Sequence, residues 1–344
     1  MTAATTPWGE RSPGRGAAAE APADLEGAPA SSEGTPAVVV RGLNRRFGRV
    51  EALRDIHLEL APNRIHGLVG RNGAGKTTLL STLVGQVIPS SGSVEVLGGR
   101  SLENPAVLSR TVYVRDHQCY PDDMRVHHVL AIARRAYPGW DEGLARRLTE
   151  DFRLTPRART KKLSTGQRTS LGIIVGLASR AELTIFDEPY SGLDPVARGV
   201  FYDRLLEDFA EHPRTVIIST HLVDEIADLL NDVVLLDDGA VTLHESQERA
   251  RDRAYRLAGP VHDVERLLER TGSTGRVSRR QSVGSMTMGV VAAPLDAEAE
   301  AAARELGLEV EPVSLQEVVA AMGTLSPLGS SPRGTGDAAQ EGAR

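Results

Sequence analysis

Gly70-Arg71-Asn72-Gly73-Ala74-Gly75-Lys76-Thr77 decides the fold. It fits the pattern G-x-x-x-x-G-K-[ST] and sits between an apolar strand-like run, 64–69, and a helix-like stretch, 77–84. Glycines at these positions let the backbone curl until several N–H groups point at one centre, where a phosphate can sit. The helix that follows adds its positive N-terminal end. Lys76 can reach the outer phosphates of a nucleoside triphosphate, and the Thr77 hydroxyl can ligate Mg²⁺. Asn72, Gly73, Ala74, Gly75 and Thr78 complete the predicted nucleotide-binding segment. Lysine occurs only at Lys76, Lys161 and Lys162 among 40 basic residues, so its presence in this loop stands out from the arginine background.

Outward from the loop the pattern is mixed α/β. Short apolar runs at 37–40, 56–60, 183–186, 216–219 and 233–236 read as strands. Continuous apolar runs bounded by turn residues fit strands buried on both faces of a parallel sheet. Helical stretches at 126–136, 141–152, 170–179 and 196–209 lie between them, an alternation that implies a layered α/β domain. The run Leu183-Thr184-Ile185-Phe186-Asp187-Glu188 ends in two carboxylates. Open α/β sheets bind ligands at the C-terminal ends of their strands. Asp187 is therefore expected to hold the metal shell, and Glu188 to polarise an attacking water. Ser219-Thr220-His221 closes a further strand at the same edge, where His221 could donate a hydrogen bond to a terminal phosphate.

The remaining composition narrows the function. The chain has 344 residues, 40% hydrophobic and 25% charged, with a formal net charge of -6. That is ordinary globular composition, and it argues against a nucleic-acid partner held by bulk positive charge. The single cysteine, Cys119, excludes an internal disulfide. No apolar run approaches the ~20 residues of a bilayer span. Residues 1–36 and 324–344 are rich in small and polar residues and read as disordered tails, without the apolar core of a signal peptide. Residues 37–245 form the principal domain, and 246–323 read as a C-terminal α+β accessory domain.

Leu163-Ser164-Thr165-Gly166-Gln167 opens a helix with Ser164 at its N-cap. With this segment added, the motif set resembles the ATP-binding-cassette (ABC) ATPase family. The order is phosphate loop 70–78, Gln loop near 112–118, signature 163–167, acidic pair, the Asp loop Ser191-Gly192-Leu193-Asp194, and switch histidine His221. The resemblance covers residues 37–245 and implies a P-loop NTPase cassette: a mixed sheet core, an antiparallel β subdomain and a helical subdomain, followed by the C-terminal extension. It also implies ATP hydrolysis with ATP and Mg²⁺, in a head-to-tail pair of cassettes. Ser164 and Gly166 of one chain would meet the γ-phosphate held by Lys76 of the other, and Gln167 belongs to the same nucleotide-binding set. Asp194 would lie across the same seam, and Phe47 would stack on adenine. Two positions depart from the family pattern. Thr165 stands where the signature has glycine, and Asp116 stands where the Gln loop has glutamine; Gln118, two residues on, is the candidate metal-side substitute if the loop is slightly longer, and the choice between Asp116 and Gln118 stays open.

The stretch between Lys76 and Ser164 leaves no room for the long coiled coil of chromosome-organising relatives, and the chain carries one cassette rather than two. The insert 120–162 reads as a helical subdomain that touches a membrane partner. Its Tyr137-Pro138-Gly139-Trp140-Asp141 and Asp151-Phe152-Arg153-Leu154, with Val313-Ser314-Leu315-Gln316-Glu317-Val318 near the end, resemble drug and antibiotic exporter cassettes of the ABC-2 kind. The expectation is the ATPase subunit of an exporter, a cytoplasmic homodimer held at the inner face of the cell membrane by a separate integral-membrane permease. The competing expectation is a soluble, non-transport ABC ATPase acting on a macromolecular complex.

Overall fold

The computed structural model describes residues 34–325, so the tails expected at 1–36 and 324–344 lie outside it except at 34–36 and 324–325. The chain opens with β1 (Val38–Phe47) and β2 (Val50–Leu60), then β3 (Ile65–Val69), the phosphate loop and α1 (Lys76–Leu83). β4 (Ser91–Val96), α2 (Pro105–Leu108) and β5 (Thr111–Val114) follow. The insert carries α3 (Val126–Ala136) and α4 (Glu142–Asp151), and α5 (Thr165–Ala178) leads to β6 (Leu183–Asp187). Next come α6 (Pro195–Glu211), β7 (Thr215–Thr220), α7 (Val223–Ile226), β8 (Asp232–Asp237) and β9 (Ala240–Ser246). The last part holds α8 (Gln247–Arg251), β10 (Tyr255–Pro260), α9 (Val261–Arg270), β11 (Val277–Val283), β12 (Met286–Val291), α10 (Ala297–Glu305), β13 (Glu309–Pro312) and α11 (Leu315–Leu325).

The central sheet runs β5-β6-β7-β3-β8-β9, parallel except for the antiparallel edge pair β8/β9. β3, β6 and β7 are buried along their whole length, as their unbroken apolar runs predict. Alternate residues of these strands feed two different cores, because strand side chains point to opposite faces in turn. Val69, Phe186, Ile218 and Leu235 face α5 and α6. Leu68, Ile185, Ile217 and Leu236 face α1 and the antiparallel sheet β2-β1-β4, whose Val38, Leu53 and Ile56 close that layer. The sheet thus lies between two apolar layers, and its strand ends emerge together at one edge.

Several elements exceed their sequence reading. β1 and β2 extend past 37–40 and 56–60, because the two strands pair antiparallel across register shifts that tolerate the polar stretch Arg41–Arg46. Helix α5 runs back from the apolar stretch 170–179 to Thr165, with Ser164 at the N-cap as the sequence predicts: the Ser164 hydroxyl accepts the Gln167 N–H while the Gln167 side chain accepts the Ser164 N–H, a reciprocal cap. The C-terminal sheet β11-β12-β10-β13 is antiparallel. One face packs Leu257 and Val291 against Leu267 of α9 and Ala302 of α10. The other packs Val290 and Ala292 against Val318 of α11. Leu315 of the same helix joins the α5–α6 core, and the Gln316 N–H donates to Asp224 Oδ1 at 2.9 Å, so α11 bridges extension and cassette.

Candidate functional site

Five strands bring their C-terminal ends to one cleft of about 680 Å³: β3 through the phosphate loop, β5 through Asp116, β6 through Glu188, β7 through His221 and β8 through Asp238. The loop can take its shape only because of particular glycines. Gly75 caps α1 at φ 106°, and a Cβ there would come within 2.6 Å of the Ala52 carbonyl oxygen. The cleft is therefore walled on that side by the β2 backbone.

Lys76 is 6% exposed, with its ammonium held by three acceptors: Gly70 O at 2.8 Å, Arg71 O at 3.3 Å and Glu188 Oε1 at 3.3 Å. Two hydrogen bonds and one ion pair hold the ammonium, and an incoming phosphate oxygen would exchange for one of these partners. Glu188 sits in the left-handed region at φ 50°, directly after β6, with its N–H donating to Ser219 Oγ at 3.0 Å. Asp187 is buried. Its oxygens accept from the Ser219 hydroxyl and, at 3.1 Å, from the Tyr113 hydroxyl. Burial, reinforced by the Asp187 charge, pushes the Tyr113 phenol well above its ordinary range and keeps it a donor to that carboxylate. His221 Nδ1 lies 2.8 Å from Glu188 Oε2. Tyr190, 4% exposed, places its hydroxyl against Glu188, His221 and Thr220 together.

Of the residues singled out in the sequence, Asn72, Gly73, Gly75, Lys76, Thr77, Thr78, Glu188 and His221 line this cleft. Ala74 is buried behind it, its carbonyl accepting the Gly239 N–H. Ser164, Gly166, Gln167 and Asp194 lie outside the lining of the cleft, although Ser191 and Gly192 of the Asp loop belong to it. Asp194 caps α6 by accepting the Ala197 N–H at 2.8 Å. A Cβ on Gly166 would fall 2.4 Å from Gly192 O, so signature and Asp loop touch through backbone. The Thr165 methyl lies over Gly192 of its own chain, which gives the extra side chain a place within the subunit. Phe47 is 46% exposed at the tip of the β1–β2 hairpin, paired with Val50, which lines the cleft. The Arg45 guanidinium stands 4.3 Å from its ring centre. Phe47 is thus a surface aromatic rather than a core residue.

The expected role of Gln118 is corrected. His117 adopts φ 51°, the loop curls back, and the Gln118 amide oxygen accepts the Arg115 N–H at 3.3 Å. Asp116 lines the cleft instead, with Oδ1 shielded from solvent and accepting no hydrogen bond. An orphaned buried carboxylate oxygen beside Thr77 and Glu188 is a donor chemistry that suits Mg²⁺. Among the described residues no group of three or more His, Cys, Asp or Glu is placed to hold a metal unaided. Tyr190 and Arg198 escaped the sequence reading; Arg198 lines the cleft, pairs with Glu225 at 2.8 Å and stands 5.8 Å from the Tyr190 ring centre. The position of Tyr190 directly after Glu188-Pro189 was the available signal.

A glycine-rich strand–loop–helix with its lysine, a histidine at the end of the adjacent parallel strand and an acidic pair on the strand beyond it define a nucleoside-triphosphatase cassette. Residues 53–191 match the sequence pattern described as "ABC transporter". The chain is 30% identical over 305 residues to the daunorubicin resistance ATP-binding protein DrrA3 of Streptomyces coeruleorubidus, covering 81% of this chain and 92% of that protein. It is 34% identical over 211 residues to the aliphatic sulfonates import ATP-binding protein SsuB of Corynebacterium glutamicum, covering 60% of this chain and 83% of that one. The fold matches the solved ATP-binding subunit of an ABC transporter at TM-score 0.57 and 24% identity, over 62% of this chain and 91% of that structure. The chain belongs to the ABC transporter ATP-binding proteins: it binds and hydrolyses ATP as the energising subunit of a transporter. No helix among the described residues is long and apolar enough to cross a membrane, and cassettes of this family work with membrane permease subunits.

Proposed function

We propose that this subunit powers an exporter, and that Glu188 is the general base of its ATPase reaction. The observation that carries the catalytic reading is the meeting of Lys76, Glu188 and His221 in one cleft at the strand ends. The Lys76 ammonium and the phosphate-loop N–H groups hold the phosphates. Glu188, polarising the water, turns it toward the γ-phosphorus and takes its proton as the bond forms. Thr77, Asp187 and Asp116 would hold Mg²⁺, which when bound neutralises charge on the phosphates. Arginine-poor and acid-rich on this side, the cleft leaves the catalytic carboxylate free to act once Lys76 turns to the phosphate.

Export is favoured by the similarity to a daunorubicin resistance protein, which runs over 305 residues and so exceeds the 37–245 cassette. For the permease we assign the groove of about 630 Å³ between α3 and α4, with Leu130, Trp140 and Leu154 in its lining and Arg134 and Arg146 among its polar residues. That surface would hold the protein at the inner face of the cell membrane. Ser164, Gly166, Gln167 and Asp194 serve the nucleotide of a second copy, a reading supported by their position outside this chain's own cleft.

Glu188→Gln is expected to lower ATP turnover by roughly 10²–10⁴-fold while ATP binding persists. Near-normal hydrolysis in that variant sinks the assignment. The same variant with ATP and Mg²⁺ should move from monomer to dimer in sedimentation, and a monomer under saturating ATP defeats the paired arrangement.

A further inference from the structure

The Tyr190 hydroxyl is crowded beyond what a core tyrosine needs. The Thr220 hydroxyl donates to it at 3.0 Å and the His221 N–H at 3.1 Å. Those two donors occupy both lone pairs of the phenolic oxygen. One proton is left, and the structure directs it to Glu188 Oε2. Thr220 is itself fixed, its oxygen accepting the Leu222 N–H at 2.8 Å. The phenol is therefore an oriented donor, anchored to the backbone of the β7 end and pointed at the carboxylate.

The inventory also sets the state of His221. Its Nδ1 stands 2.8 Å from Glu188 Oε2 and 3.1 Å from the Tyr190 oxygen. With the carboxylate ionised and both phenolic lone pairs taken, neither oxygen can donate to Nδ1 unless the phenol abandons Glu188. A bare Nδ1 so close to a carboxylate oxygen would oppose lone pair to lone pair. Nδ1 must carry the proton. In the neutral ring Nε2 is then an acceptor, and it can donate to a phosphate oxygen only after a second proton arrives.

We propose that Tyr190 is a positioning residue that locks Glu188 and His221 into one unit and holds His221 in its Nδ1–H tautomer until a γ-phosphate is present. This rests on the reading of Glu188 as general base, but its first test does not. In the full-length protein labelled with ¹⁵N-histidine and free of nucleotide, the His221 ring should show a protonated Nδ1 and a bare Nε2. A ring found with Nε2 protonated and Nδ1 bare overturns the proposal without any variant being made.

Tyr190→Phe keeps the aromatic packing and removes only the oxygen. It should shift the His221 nitrogen resonances toward those of a ring exchanging freely between tautomers. It should also lower kcat by roughly 10-fold with KM for ATP little changed, the size expected for losing one hydrogen bond to a charged group. Unmoved resonances together with wild-type kcat reduce Tyr190 to a packing residue. Moved resonances with wild-type kcat refute the link to catalysis. If Glu188→Gln proves fully active while the tautomer is as stated, the general-base assignment falls and the positioning geometry stands.

Discussion

The central sheet has buried charge at both ends, and the two ends do opposite work. At the C-terminal edge Lys76, Glu188 and His221 crowd around an open cleft, with the buried Asp187 directly before Glu188. At the N-terminal edge Arg214, just before β7, lies 2.6 Å from Asp208 of α6, which Arg180 reaches at 3.1 Å. Arg64 likewise meets the buried Asp232 at 2.8 Å, beside buried His66. Burial pulls the Arg214 guanidinium below its ordinary value while Asp208 opposes it, a balance of desolvation and pairing. The five parallel strands begin at this edge, so its charges clamp strand starts to helix ends. Buried ionic groups alone do not mark a site. At the C-terminal edge the Lys76 ammonium is held by replaceable partners, two backbone carbonyls and the Glu188 carboxylate. At the other edge each cation already has the anion it needs.

The contrast can be broken by substitution. Arg214→Met strips Asp208 of its closest partner and should lower the unfolding free energy by about 3–5 kcal/mol in denaturant titration. ATP affinity of the folded protein should stay at the wild-type value; a loss there would make the N-terminal edge part of the site. Lys76→Ala has the converse signature. ATP affinity should fall roughly 100-fold, about 2.7 kcal/mol, with a much smaller change in the unfolding midpoint. A weaker test concerns the clasp between the C-terminal edge and the extension. Asp224→Ala removes the acceptor for the Gln316 N–H and should cost about 1 kcal/mol, seen as faster hydrogen exchange in α11 before the central strands respond. Exchange unchanged in α11 would mean that Leu315 packing alone holds the helix.

Long apolar strands and the phosphate loop were readable because their signals are local. Four buried strand runs, the Gly-Lys-Thr turn and the Asp187-Glu188 strand end each declare themselves within a few residues. β4 and β9 were not, since Ser91-Gly92-Ser93 and the half-exposed Ala240–Ser246 become strands only by pairing with β1 and β8. In the same way the sequence left the choice between Gln118 and Asp116 open. The direction of a loop with His117 at positive φ depends on what it packs against, and that direction put the carboxylate in the cleft.

Chemistry-bearing residues, their order and the parallel α/β plan follow from the chain alone, because phosphate chemistry and strand burial impose short, specific residue patterns. Three matters belong to the folded molecule. They are the placing of Asp116 rather than Gln118 in the cleft lining, the knot of Tyr190, Thr220, Glu188 and His221, and the bridging role of α11. Each depends on distances between strand ends or helices far apart in sequence. Hydrogen bonding falls away within a fraction of an ångström, so only packing at that precision decides which polar groups become partners.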